Sequence, residues 1–398
     1  YPGGANKARG WKQIYHYLTC MIPLRKQLRF GLFWPFAIML LFPSNYLLSQ
    51  AQKIYFEEVL TPDGNPLGKI NAITQDKLGF MWFSDESNDR LVRYDGSHME
   101  YYEHDPENSN SPGGTFPQAL DAGPSGEVWI GYIDAGLDRF DPYTSTFTHY
   151  RHDPEDPQSL LDSTHTVAAV LVDRDGMVWA GTGQGLSRLD PSTGKFTHYR
   201  HDSDDPNSLS SNVVRTLYED RSGTLWVGTG FPYFVPEDGG LNRFHPETGT
   251  FTRYKHNPQD PTSLVGNKIT AILEDSRGVF WIGTDGEGLQ TMDRETGEFT
   301  RLPHDPDNRS NLSGTLPGEL LSFVKVLLED SKGNIWIGSN NNGTKRFNPE
   351  TEKVTYFGKS ADGVKDVIEN TGFDSFLETN SAWSAYTADE GLIWLSSE

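Results

Sequence analysis

The sequence predicts an all-β fold: a seven-bladed propeller of four-stranded antiparallel blades, the last blade incomplete. Three observations carry this. The stretch Asp275-Ser276-Arg277-Gly278-Val279-Phe280-Trp281-Ile282-Gly283-Thr284 recurs as residues 173–182, 220–229 and 330–339, with a looser copy at 76–84. Seven tryptophans (Trp82, Trp129, Trp179, Trp226, Trp281, Trp336 and Trp394) mark the copies at separations of 47, 50, 47, 55, 55 and 58 residues, a period that signals a repeat architecture. Finally, 40 glycines and 24 prolines punctuate the 398 residues, and no segment sustains a helical period.

Within the recurring stretch, Asp275 suits a tight turn because its carboxylate accepts from the turn's own N–H groups, and Gly278 supplies a positive φ. Phe280-Trp281-Ile282 has the aromatic and β-branched character of a buried strand, and Gly283 leaves room for another backbone or a large ring. The fourth copy shows the rest of the blade. Residues 212–219 read as a first strand ending at the Asp220 turn, 224–229 as the second, 240–244 as the third and 251–254 as the fourth. A Pro/Asp/Ser-rich segment, 256–264, leads to the next copy. Four short hairpin-linked strands per repeat describe a propeller blade rather than a solenoid coil.

The third strand recurs as Gly136-Leu137-Asp138-Arg139-Phe140, Gly185-Leu186-Ser187-Arg188-Leu189 and Gly343-Thr344-Lys345-Arg346-Phe347, and the fourth as Phe147-Thr148-His149-Tyr150 and Phe196-Thr197-His198-Tyr199. The same large residues in every copy point to packing between blades. After Trp394 the third and fourth strands are lacking. Residues 54–59 are expected to supply one of them, which would cover an exposed sheet edge, and the natural protein is expected to continue past Glu398.

The amino terminus reads differently. Leu24-Arg25-Lys26-Gln27-Leu28-Arg29 is basic, residues 30–42 are apolar, and Ser49-Gln50-Ala51 offers small residues at a cleavage site, the layout of a signal peptide over 21–51. Thirteen apolar residues fall short of the roughly 20 that span a bilayer as a helix. Residues 1–20 precede Met21 and read as upstream or disordered sequence, leaving 52–398 as the propeller and an exported, periplasmic location as the expectation. The net charge is −21; setting aside the six basic residues up to Ala51 leaves 28 basic against 55 acidic side chains, a net −27. A body this acidic repels phosphate backbones, which argues against nucleic-acid partners. The only cysteine, Cys20, lies ahead of the leader, so disulfides, thiolate zinc sites and thiol catalysis are not expected.

The alternation of Asp-x-x-Gly-x-x-Trp-x-Gly-Thr with Gly-Leu-x-Arg-Phe-x-Pro resembles the two-component regulator propeller repeat, which builds the periplasmic sensor region of hybrid two-component systems, especially in Bacteroidetes. Residues 69–82 are similar to the start of those sensors, and the resemblance covers 53–398. It departs at Gly123, which replaces the turn Asp, and at Thr291, which replaces the third-strand Arg. It implies a ligand-sensing domain, with a small glycan as ligand, that controls transcription of utilisation genes. It also implies a second propeller and an immunoglobulin-like domain downstream, a homodimeric receptor, and membrane tethering and histidine kinase activity in later modules. It implies no catalytic residue, cofactor or metal in this chain.

Shared positions in a repeat are scaffold, so function is sought where copies differ. The loops after second and fourth strands lie on the face opposite the Asp turns, around the mouth of the central channel. Aromatics beside amides and carboxylates suit a sugar, whose faces stack and whose hydroxyls need donors and acceptors. The candidates are Asn88, Tyr132, Asp134, Gln184, Asp285, Glu287 and Asn341, with Tyr233 and Phe234 in an insertion, 231–238, found only in the fourth copy. The tryptophans read as core, the His-Asp-Pro histidines (His104, His152, His201, His304) as turn elements on separate blades, and the pairs Asp204-Asp205 and Asp285/Glu287 lack a calcium-loop pattern. The alternatives are a protein-interaction propeller, or a free-standing lyase related to streptogramin lyases. Those enzymes use a histidine, a glutamate and magnesium at the channel mouth, where His165 would be the histidine here.

Overall fold

The computed structural model describes residues 58–161, 164, 166–230, 239–286, 288–302, 324–339, 343–357, 384–388 and 391–396. All belong to one compact unit, Tyr55–Glu398. The expected leader and most of the strand at 54–59 lie outside the described residues.

The described residues form six four-stranded antiparallel sheets, each in sequence order, and one two-stranded sheet. The expectation of four-stranded antiparallel blades thus holds six times rather than seven. The seventh tryptophan sits in the two-stranded sheet, where Ser384–Thr387 pairs with Ile393–Ser396. The first strands of the six blades are Ile70–Gln75, Pro117–Ala122, Val167–Val172, Val214–Glu219, Ile269–Glu274 and Val324–Glu329. Each packs beside the first strand of the next blade. The two-stranded sheet lies between the sixth and first blades. Ser384 and Ser396 donate their hydroxyls to the Ile70 carbonyl at 3.3 and 2.8 Å, and Thr387 donates to the Glu329 carbonyl at 3.1 Å.

The Asp–Gly–Trp motif builds each blade from the inside. One Asp275 oxygen accepts the Arg277 and Val279 amides at 3.0 and 2.9 Å, while the other accepts the Trp281 indole N–H at 3.0 Å. Gly278 closes the turn at φ 83°, a region costly for side chains with a Cβ. The same indole–carboxylate bond joins Trp82 to Asp76, Trp179 to Asp173, Trp226 to Asp220 and Trp336 to Asp330, at 2.8 to 3.0 Å. Where the Asp is missing, as at Gly123 and Ala388, the Trp129 and Trp394 indole nitrogens are buried without a partner. In the second blade a Cβ at Gly123 would run into the Glu127 carboxylate, which fills the vacant turn.

Gly283 admits neither a backbone nor a ring. A Cβ there would stand 2.8 Å from a Val324 methyl of the next blade, and Gly131, Gly181 and Gly228 admit Val167, Val214 and Ile269 in the same way. The recurrent aromatics do pack between blades: Trp82 lies 5.0 Å from Phe140, and Trp179 lies 5.1 Å from Phe244. Offset and edge-on pairs of this kind add to plain burial. Third-strand arginines complete the stack, with Arg188 and Arg243 standing 5.4 and 6.0 Å over Trp179 and Trp226.

A further tie joins neighbouring turns. The carboxylate ending one first strand accepts the amide just after the previous blade's turn Asp: Glu219 from Arg174 at 3.0 Å, Glu274 from Arg221 at 2.8 Å, and Glu329 from Ser276 at 2.6 Å. In the second blade Asp121 takes the Val172 amide at 2.7 Å instead.

Leaving a buried donor unpaired costs about 1–3 kcal/mol. Asp275→Ala strips the Trp281 indole and two turn amides of their acceptor, so urea titration should show a stability loss of about 3 kcal/mol, from the same per-group cost. The paired change Gly123→Asp with Glu127→Thr gives Trp129 the partner it lacks and should raise stability by about 1 kcal/mol, the net worth of one hydrogen bond. An unchanged midpoint in both variants would show that the indole–carboxylate bond does not hold the blade.

Candidate functional site

First strands start, and second strands end, on the face opposite the Asp turns, so the loops joining second to third strands ring one end of the channel. There the first-strand N-termini of the six blades carry different side chains. The second residue of each first strand is Asn71, Gln118, Ala168, Arg215, Thr270 and Lys325, all half-buried, whereas the residue before each of them is buried. The buried residues at that earlier position, Val167, Val214, Ile269 and Val324 among them, enter the space left by the glycines of the preceding blades.

Several of the predicted residues lie on this face. Asn88 is exposed in a short turn, Glu86–Asn88, and its amide donates to both Asp85 oxygens at 3.0 and 2.9 Å, steadying a fully buried carboxylate that also pairs with Arg90 at 3.0 Å. Asp134 is exposed and accepts the Thr115 hydroxyl at 3.0 Å. Gln184 is half-buried, and its backbone N–H donates to the Thr182 hydroxyl at 3.0 Å. Asp285 is half-buried and lies 3.6 Å from Lys268. These four stand on four different blades.

Tyr132 is placed differently. It ends its strand fully buried, and its hydroxyl makes no hydrogen bond. Burial, followed by the negative charge of Asp138, pushes its phenol well above the ordinary value. Tyr233, Phe234, Glu287 and Asn341 lie outside the described residues, as does His165.

Two exposed apolar side chains were not foreseen as a pair. Phe116, just before the second blade's first strand, is 42% exposed and Ile133 is 44% exposed. They are tied by an Ile133 N–H to Phe116 carbonyl bond of 3.1 Å, and the Thr166 hydroxyl donates to the Ile133 carbonyl at 2.7 Å. The corresponding residue of the other blades is Lys69, Thr166, Val213, Lys268 or Phe323, so two of the six copies carry an aromatic at this position.

The segments between blades are held by two devices. The His-Asp-Pro imidazoles each close their own loop: His104, His152 and His201 donate Nδ1–H to the carbonyls of Pro112, Leu160 and Leu209 at 2.6, 2.8 and 2.6 Å, and His256 does the same to Leu264. His304 lies outside the described residues. The second device is the buried residue two positions after the glycine that leads each third strand, where Asp138, Asn242 and Gln290 accept the Gly113, Ser210 and Val265 amides at 2.7, 2.8 and 3.0 Å. Lys345 holds this position in the sixth blade, where burial pushes its ammonium down to about 8.

His149 combines both devices. Its Nδ1 faces Asp138 at 2.8 Å and its Nε2 faces the Ser109 carbonyl at 3.1 Å. Both partners accept only, so the imidazole is held doubly protonated. The Asp138 hydrogen bond raises its pKa. In the fourth blade the permanently charged Arg253 does the same work, donating to the Ser208 carbonyl at 2.6 Å.

Comparison with known proteins bears on this arrangement. The two-component regulator propeller family matches residues 208–231, 263–286 and 318–341. Among solved structures, the chain is similar to the extracellular domain of a hybrid two-component system from B. thetaiotaomicron, with 25% identity and a TM-score of 0.64 over 84% of this chain and 39% of that one. The chain thus spans about two fifths of that relative's length. Virginiamycin B lyase from Staphylococcus aureus, solved with quinupristin, is 12% identical with a TM-score of 0.57, covering 85% of this chain and 94% of that one. PorZ, a surface component of the type-IX secretion system of Porphyromonas gingivalis, is 14% identical with a TM-score of 0.56, covering 87% and 46%. These two likenesses show the fold alone. No curated protein matches the sequence, and no helix among the described residues is long and apolar enough to cross a membrane.

A raised histidine pKa stabilises most below the ordinary imidazole value of 6.5 and progressively less as pH climbs through the raised one. His149→Arg should therefore melt with wild type at low pH and increasingly above it as pH rises past 6.5; a constant difference would contradict a charged His149. Three stretches thus match the two-component regulator propeller, and the chain is similar in structure to the extracellular domain of a hybrid two-component system.

Proposed function

We propose that this chain is the ligand-sensing propeller of an exported hybrid two-component sensor, and that it recognises an oligosaccharide at the channel mouth. The observation that carries the reading is the coincidence of family and face. The repeats match the two-component regulator propeller, and their departures collect at one end of the channel, where Phe116 and Ile133 are exposed beside the polar Asp134 and Thr115. An exposed aromatic ring flanked by carboxylate, hydroxyl and amide groups is the chemistry a sugar needs.

In this reading the two-stranded sheet counts as a seventh blade, completed by further strands. A downstream propeller and immunoglobulin-like domain carry the binding signal through the membrane to a kinase that controls utilisation genes. Asn88, Asp134, Gln184 and Asp285 shape the rim of the mouth, and Tyr233, Phe234, Glu287 and Asn341 are further candidates for ligand contact. Tyr132 supports the rim from beneath.

Calorimetric titration of the purified chain with a panel of neutral and acidic oligosaccharides tests this. Binding should occur with one member at least, and Phe116→Ala should weaken it at least tenfold while leaving the melting temperature within a few degrees. Binding that survives Phe116→Ala unchanged would move the site away from this face.

A further inference from the structure

The segment that leads into the second blade ends at Phe116, and it is anchored differently from its equivalents. Ahead of the third, fourth and fifth blades such a segment carries a proline, Pro157, Pro206 or Pro261, and then a fully buried leucine, Leu160, Leu209 or Leu264. Ser109 and Pro112 occupy those two positions here, and Gly113-Gly114 follows. Without the proline ring Ser109 has no preset φ, and two glycines in succession widen the backbone's freedom just ahead of Phe116. This segment therefore depends more on side-chain ties than the other three.

The ties converge on one fully buried carboxylate. Asp138 accepts the Gly113 amide on one oxygen at 2.7 Å, and His149 Nδ1 and Arg151 on the other at 2.8 and 2.9 Å. The His149 ring reaches on through Nε2 to the Ser109 carbonyl at 3.1 Å. A Cβ at Gly113 would strike the Arg151 guanidinium, and one at Gly114 would strike Ala135 and Asp134, so the segment lies flat on this cluster. Asp134 then holds the Thr115 hydroxyl, and the Ile133 amide holds the Phe116 carbonyl. Residues 109–116 are thus one strip, clasped at its start by His149 and at its end beside the mouth.

A doubly protonated imidazole donates from both nitrogens, a neutral one from a single nitrogen. The Asp138 carboxylate is the stronger acceptor, so on deprotonation Nδ1 keeps its proton and Nε2 turns a lone pair on the Ser109 carbonyl. The charged groups facing the ring are Asp138, whose hydrogen bond raises its pKa, and Arg151, which opposes the rise. The same strand position holds His198 in the third blade and Arg253 in the fourth. His198 faces the Ser187 hydroxyl at 3.1 Å, which serves a neutral ring, and burial lowers its pKa. Arg253 keeps its charge throughout. We propose that His149 is a proton-operated latch on residues 109–116: the doubly protonated ring clasps Ser109 and sets the strip that carries Phe116, and loss of the Nε2 proton releases it. The latch is closed below the raised pKa and opens as pH climbs through it. Through Phe116 it makes recognition at the mouth proton-dependent, a step that rests on the oligosaccharide reading above.

Hydrogen–deuterium exchange of the whole chain, with times scaled for the intrinsic pH dependence of amide exchange, tests the latch without any ligand. Between about pH 6 and about pH 9, peptides within 105–116 should lose protection by about tenfold, the worth of one charge-assisted hydrogen bond. Peptides within 202–210, held by Arg253, should keep theirs. His149→Arg should keep 105–116 protected throughout. Asp138→Asn, which copies the fourth blade's Asn242 at this position, should move the loss to lower pH. Imidazole resonances of selectively labelled histidines follow the titration itself. A His149 that keeps its proton up to about pH 9, or one that loses it while 105–116 stays unchanged, would overturn the latch, as would an equal loss in His149→Arg. For any oligosaccharide that the panel above identifies, affinity should fall across the same range in wild type but not in His149→Arg. Binding by no oligosaccharide would sink the sensing reading and leave the latch to the exchange result alone.

Discussion

Five of the six four-stranded blades depend on one bond, from a tryptophan indole to the carboxylate that closes the preceding turn. It links the turn's geometry to the position of the largest ring in the blade, six residues away, and so fixes how far that ring reaches into the next blade. The glycine two residues past the tryptophan then sets how close the next blade comes, because only there can a Val or Ile of the neighbouring first strand enter. The carboxylates that reach back to the previous turn lock the spacing at one end of the channel. With these three contacts repeated around the ring, the opposite end needs no fixed residue. That freedom lets the side chains at the mouth differ from blade to blade.

The second blade shows what a departure does. Without its turn Asp, Trp129 is still fully buried, yet its indole N–H goes unmatched while Glu127 occupies the turn. This same blade exposes Phe116 and Ile133 and holds the His149–Asp138–Arg151 cluster, in which Arg151 donates to Asp138 at 2.9 Å. Its framework is therefore less regular than that of the fourth or fifth blade, and its surface on the mouth side is more distinctive.

Much of this fold was legible in the sequence because repetition averages over local ambiguity. One Asp-x-x-Gly-x-x-Trp stretch is a turn and a strand, whereas several at a regular period define blade, order and face. The strand ends in the fourth copy were read to within about two residues, an ordinary uncertainty for element ends. The ties between blades were not legible. Glu219, Glu274 and Glu329 look like ordinary strand-ending acids until the neighbouring turn is seen beside them. Nor did the sequence separate Tyr132 from Asp134: both fall in the same loop-like stretch, but only the structure shows that the strand runs on through Tyr132 and buries it. Phe116 was passed over because a search among loops after second and fourth strands does not look at the residue just before a first strand.

The account makes the Asp–Trp turns scaffold and the opposite face the place of recognition. Hydrogen–deuterium exchange, measured by mass spectrometry with and without a bound oligosaccharide, separates these roles in one experiment. Protection should appear in peptides covering 113–118, 133–136 and 213–216, with the turns at 173–177, 220–224 and 275–279 unchanged. Protection confined to the turns, with the mouth peptides unaltered, would contradict it.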